Sequence, residues 1–207
     1  MQPQIHVIST GTQTIEHFTK VIGRIHQEVD FIHIREKDRP ARELVEMVKQ
    51  LAEHEVPLEK IIINDRVDVA AVSEASGVQL AHHSLQVSEV KKAFPDLLIG
   101  KSVHSIDEAR AAQQQGADYL LYGHIFETAS KPGLEPRGLD GLKELTRSID
   151  LPVVAIGGIA PENTKEVIRA GASGVAVMSG ILKAKDPQVA AEKYRKRIKE
   201  VHNAYTV

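Results

Sequence analysis

Short, uniformly apolar runs rich in β-branched residues recur along the chain: "IHVIS" (5–9), "DFIHI" (30–34), "KIIIN" (60–64), "GVQLA" (77–81), "LLIGKS" (97–102), "DYLLY" (118–122), "PVVAI" (152–156) and "GVAVM" (174–178). They are too short and too uniformly apolar to be exposed hairpins, and they predict eight strands covered on both faces. The stretches between them, such as "RELVEMVKQLAEH" and "IDEARAAQQQG", place apolar residues three and four apart and predict amphipathic helices. Alternating strand and helix implies parallel pairing with right-handed crossovers. Eight such units in 207 residues fit a single (β/α)8 barrel domain spanning 1–207, at the small end of that fold's range. A doubly wound open sheet is the alternative, disfavoured because no "GxGxxG" follows the first strand. "GAD" (116–118) and "GAS" (171–173) read as helix-to-strand turns.

Composition narrows the chemistry. With 42% hydrophobic residues the chain suits a compact core, and a net charge of −2 provides no basic field to attract nucleic acid. The absence of cysteine excludes disulfides, thiolate metal ligands and thiol nucleophiles. The start "MQPQIHVIST" carries no basic segment followed by an apolar core, and no apolar run approaches the roughly 20 residues that span a bilayer. The expectation is a cytoplasmic protein that contacts neither membrane nor nucleic acid and is compatible with a homodimer.

In a barrel of this kind the site forms at the carboxyl ends of the strands. Strand two ends in "HIREKD", where alternation gives His33, Arg35 and Lys37 a shared orientation. This is either an anion site or a solvated run of charge. At the end of strand three, Asn64 and Asp65 are expected chiefly to cap the helix that begins near Val67. His82 and His83 are adjacent and form no zinc pattern; Ser102 and His104 sit at the end of strand five. Gly157, Gly158, Ser179 and Gly180, after strands seven and eight, match the usual phosphate-binding place of the fold. In "YGHIFETASKPG" (122–133), period two from an inward Tyr122 turns His124 toward the same mouth. Thr128, Ser130 and Lys131 add donors from the following loop, and "ETASKPGLEPRG" is a candidate lid.

These strand ends resemble the thiamine phosphate synthase family and its TenI-type relatives. The family's "LREK" stands here as "IREK" (34–37), its "NDRVDLA" as "NDRVDVA" (64–70), its "GADYVGFGPVFPTATK" as "GADYLLYGHIFETASK" (116–131), and its "AIGGI" is unchanged (155–159). Where the synthases read "HLGQEDL", with a carboxylate that helps to bind magnesium, this chain reads "QLAHHSL" (79–85) and leaves Asp65 opposite Ser84. His33 replaces the family's glutamine before "LREK", and His124 replaces its proline.

By resemblance, Thr128, Ser130, Gly158, Met178 and Ser179 are expected to bind a phosphorylated thiazole, with Lys131 as a further donor from the loop; Arg35 and Lys37, at the family's pyrophosphate site, are expected to face the substrate carboxylate instead. The departures imply a TenI-type thiazole tautomerase in which His124 acts as base and then acid, with no cofactor and no metal. A thiamine phosphate synthase and a non-catalytic thiazole-phosphate-binding regulator are the alternatives.

Overall fold

The computed structural model describes residues 2–205, with side chains described through Val201. Its strands are β1 (Gln4–Ile8), β2 (Phe31–Ile34), β3 (Ile61–Asn64), β4 (Gly77–Leu80), β5 (Leu98–Val103), β6 (Tyr119–Gly123), β7 (Val153–Ile156) and β8 (Gly174–Val177). The helices are α1 (Ile15–Ile25), α2 (Ala41–Glu53), α3 (Val67–Val72), α4 (Val87–Ala93), α5 (Ile106–Gln114), α6 (Gly138–Ser148), α7 (Thr164–Arg169), α8 (Ser179–Leu182) and α9 (Pro187–Tyr205). Neighbouring strands pair in parallel around a closed ring, and β1 completes it by pairing with β8. The (β/α)8 barrel expected from the sequence is the fold observed.

Each strand has two apolar faces because it separates two packed regions. Inside the barrel, Ile8, Tyr119, Leu121, Val154 and Ala176 pack together, with Met178 and Ile156 at the edge. Between barrel and helices lies a larger core that includes Val7, Ile32, Ile63, Leu120, Tyr122 and Val175. This partition corrects one expectation. On β6 the inward residues are Tyr119 and Leu121, so Tyr122 points outward to the helical layer, where its hydroxyl lies beside Gly141 of α6.

Local signals set several helix starts. Thr14 accepts a hydrogen bond from the N–H of His17 at 3.2 Å and opens α1, and Ser105 does the same for Glu108 at the start of α5. The barrel's amino-terminal end is tied by Asp30, which precedes β2. One of its carboxylate oxygens accepts from the Ile5 N–H at 2.7 Å and from the buried Arg195 guanidinium of α9 at 2.8 Å. Arg195 also donates to the Glu28 carbonyl at 3.1 Å, so the last helix is pinned to the first strand through one acid. Asp30→Ala should lower unfolding stability by roughly 1–3 kcal/mol, because it strands a buried guanidinium and a strand N–H together. A urea midpoint equal to wild type would show that this tie carries no stability.

Candidate active site

The carboxyl ends of the strands open onto two hollows. One, of about 680 Å³, is enclosed by the loop after β6 and lined by Glu127, Thr128, Lys131, Leu134 and Pro136, among others. The other, of about 230 Å³, lies at the ends of β2 to β4 and is lined by Glu36, Lys37, Arg39, Asn64, Asp65, Arg66 and His83, among others. Of the residues expected to bind substrate, Thr128 and Lys131 line the first hollow and Lys37 the second. Arg35, Ser130, Gly158, Met178 and Ser179 line neither.

In the second hollow most charges are already paired. Arg39 bonds Glu36 at 3.3 Å and Glu43 at 2.8 Å, and Arg66 bonds Asp68. Lys37 is exposed, and neither it nor Arg35 has a carboxylate partner among the described residues, which leaves both cations available to an anion. Glu36 carries no signal of its own in the sequence. It is buried and accepts from the Gly11 N–H at 3.2 Å, which ties β2's end to the loop after β1.

Asp65 is not the helix cap that the sequence suggested. No side chain caps α3; instead Ser84 takes a hydrogen bond from the Ala81 N–H at 2.8 Å and donates its own proton to Asp65 Oδ1 at 2.5 Å. The exposed His83 ring stands 3.7 Å from Asp65 Oδ2, while His82 next to it is exposed.

On the opposite side of the mouth, Gly157 and Gly158 both have positive φ, at 101° and 65°. A side chain on Gly157 would collide with His124, and one on Gly158 with the Glu127 carbonyl. Gly158, Ser179 and Gly180 are exposed, and as the opening residues of α8, Ser179 and Gly180 have N–H groups without acceptors inside that helix. Backbone bonds from Ile125 to Ile156 at 2.9 Å and from Phe126 to Gly157 at 3.0 Å fasten the β6 loop to the β7 end. Farther along the loop, Lys131 Nζ lies 3.2 Å from His104 Nε2. That lysine and burial together hold the His104 imidazole below its ordinary pKa, burial being the larger cause.

His124 is 5% exposed, and its Nε2 lies 3.1 Å from the Leu134 carbonyl, to which it donates. The ring therefore serves as a tether folding the loop back on itself, with one nitrogen committed to backbone.

Three side chains that the sequence does not mark as functional stand under the mouth. His6, on β1, points into the barrel and meets His33 with Nδ1 and Nε2 2.9 Å apart. Burial holds the His33 pKa down at about 3, and burial followed by the neighbouring His33 holds His6 well below its ordinary value. Both are neutral imidazoles at pH 7. Tyr119 and Gln79 complete the group; the Gln79 amide donates to Ser102 Oγ at 3.1 Å.

A family model described as Thiamine monophosphate synthase matches residues 5–181. The thiamine-phosphate synthase of Pyrococcus furiosus is 40% identical over 171 residues, covering 82% of this chain and 83% of its own. That of Moorella thermoacetica is 41% identical over 188 residues, covering 89% and 88%. The solved structure of a thiamine phosphate pyrophosphorylase from Pyrococcus furiosus superposes with a TM-score of 0.82 at 35% identity over 96% of each chain.

These relatives overturn the tautomerase expectation and with it the isomerase class. Chains about 40% identical over most of their length carry the synthase name. The tautomerase expectation rests on His33, Ser84 and His124; the tethered His124 ring keeps one bare nitrogen, so the relatives, not the geometry of that ring, decide against it.

Because His6 and His33 resist protonation only in the folded state, the unfolded chain binds more protons below pH 6.5. Stability should therefore fall as pH drops from 6.5 toward about 3. His33→Gln should flatten that fall in urea titrations between pH 7 and 4; an identical slope in wild type and variant would remove the pair as its source.

Proposed function

Because this chain belongs to the thiamine monophosphate synthase family, we propose that it is a thiamine-phosphate synthase, an enzyme that joins a pyrimidine pyrophosphate to a thiazole phosphate and releases pyrophosphate. The observation that carries this reading is the 40% identity to relatives of that name across 82% of the chain. The two-sided mouth supports it, since the hollow at the β2 end offers the unpaired Lys37 and the hollow under the β6 loop offers the Thr128 hydroxyl and Lys131. Two anionic groups of different size need two such places.

In this reading Lys37 and Arg35 hold the pyrophosphate at the β2 end, where positive charge stabilises the negative charge that develops as it departs. Thr128, Ser130 and Lys131, with the N–H groups of Gly158 and Ser179, hold the thiazole phosphate on the β6 to β8 side, with Met178 beside them. The loop from His124 to Arg137 folds over that side. Its ends are bonded together, Arg137 N–H to the His124 carbonyl at 2.8 Å, so it can cover the ligand as one unit and exclude water from the reacting carbon.

The family's reaction implies magnesium. Asp65 fits such an ion: its carboxylate and the Ser84 hydroxyl are hard oxygen donors 2.5 Å apart beside Asn64, and magnesium is commonly held by one or two carboxylates plus substrate phosphates. When bound, the ion would offset charge on the departing pyrophosphate. The described residues gather no cluster of three acidic, histidine or cysteine side chains, so Asp65 and Ser84 would hold the ion together with waters and substrate oxygens.

The test is the rate of thiamine phosphate formation from the two substrates as magnesium is titrated. Product should appear with magnesium and vanish with EDTA; a folded protein that yields none at any magnesium concentration contradicts the assignment. In the same assay Ser84→Asp should lower the half-saturating magnesium concentration by roughly tenfold through added ligand charge. An unchanged value would place the ion away from Asp65.

A further inference from the structure

Among the described residues, three of the five enclosed side-chain polar atoms without a partner lie together inside the barrel: His6 Nε2, Tyr119 OH and Gln79 Oε1. Enclosed polar groups are rarely left unpaired, and three in one place satisfy one another if they are linked. The atoms are neighbours. The Tyr119 hydroxyl and Gln79 Oε1 are each 2.4 Å from the point where a side chain on Gly100 would begin, so both lie over that glycine. The His6 and Tyr119 rings are 5.7 Å apart between centroids. A small rotation of the tyrosine would bring its hydroxyl into direct hydrogen bonds with both neighbours.

The direction of these bonds follows from counting protons. Gln79 uses its amide nitrogen on Ser102, so its oxygen faces Tyr119 and needs a donor. If Tyr119 gives its only proton to Gln79, its oxygen can accept from His6 Nε2–H. A neutral His6 protonated at Nε2 has a bare Nδ1, which must then accept from His33 Nε2–H. Every enclosed atom is satisfied. With the opposite polarity, His6 Nδ1–H donating to His33, both His6 Nε2 and Gln79 Oε1 become acceptors that compete for one tyrosine proton, and one stays unpaired at a cost.

We propose that His33, His6, Tyr119, Gln79 and Ser102 form one directed hydrogen-bond line that leaves His33 Nδ1 as a bare acceptor at the barrel mouth, where it selects a substrate ring bearing an N–H donor. His33 is the last inward residue of β2 and is 1% exposed, and its Nδ1 has no hydrogen-bond partner among the described residues. His6 and Tyr119 are positioning residues: they touch no substrate and fix which nitrogen of His33 carries the proton. The line itself stands on geometry alone; its role in selecting a ring rests on the synthase reading, in which that ring is the pyrimidine.

The test is nitrogen-15 NMR of histidine-labelled protein at pH 7, which reports each tautomer directly. The expected spectrum shows His6 and His33 both protonated at Nε2 and bare at Nδ1. Tyr119→Phe, which keeps the ring but removes the hydroxyl, should produce mixed tautomers at His33. It should also raise KM for the pyrimidine pyrophosphate roughly 3- to 10-fold, with a smaller effect on kcat. A simple loss of packing would not move the tautomers. A wild-type His33 protonated at Nδ1 overturns the line whether or not the variant folds. Shifted tautomers with unchanged KM overturn the selecting role. The expected tautomers in a protein that makes no thiamine phosphate would sink the synthase reading and leave the line in place.

Discussion

The β1–β8 ladder, registered from Gln4 against Gly174 to Val7 against Val177, turns a row of parallel strands into a ring. Closure removes the sheet's edges and creates an interior that side chains must fill. It also brings the β8 end next to β1 and β2, so residues far apart in sequence share one mouth. The Asp30 and Arg195 pair reinforces this closure from below by fastening the last helix to the start of β1.

The interior is filled differently on its two sides. Toward β7 and β8 it holds Val154 and Ala176, whereas toward β1, β2 and β4 it holds His6, His33 and Gln79. Burying two imidazoles is costly only if they are charged, and burial keeps these neutral. The polar side lies under the cationic hollow and the apolar side under the glycine-rich loops. The floor of the mouth is thus as two-sided as its rim, in keeping with two substrates of unlike chemistry.

The barrel is legible because eight apolar runs alternate with amphipathic stretches, and each run is a strand within about one residue of its quoted limits. The same uniformity hides which face of a strand points inward. With both faces apolar, "DYLLY" offers no alternation to read, and the inward face expected for Tyr122 belongs to Tyr119 and Leu121. The glycine and hydroxyl positions after β6 to β8 are visible from motif and fold together, although only Thr128 and Lys131 line a common hollow there. Asp65 departs from the expected cap because its partner, Ser84, comes from a different strand's loop; the family motif sets the two positions opposite each other, whereas local spacing alone suggests only a cap. His6 gives one signal, a lone histidine inside the apolar run of strand one, whose meaning needs His33 and Tyr119 to be placed beside it.

The central claim is that the two sides of the mouth act on two substrates in one transfer. Phosphorus-31 NMR of a mixture of protein, magnesium, pyrimidine pyrophosphate and thiazole phosphate tests it most directly, because it follows both phosphate groups at once. The account predicts one free pyrophosphate released for each thiazole phosphate converted to thiamine phosphate, with the monophosphate ester intact. Pyrophosphate release that proceeds equally without the thiazole phosphate, or no release at all, would contradict it.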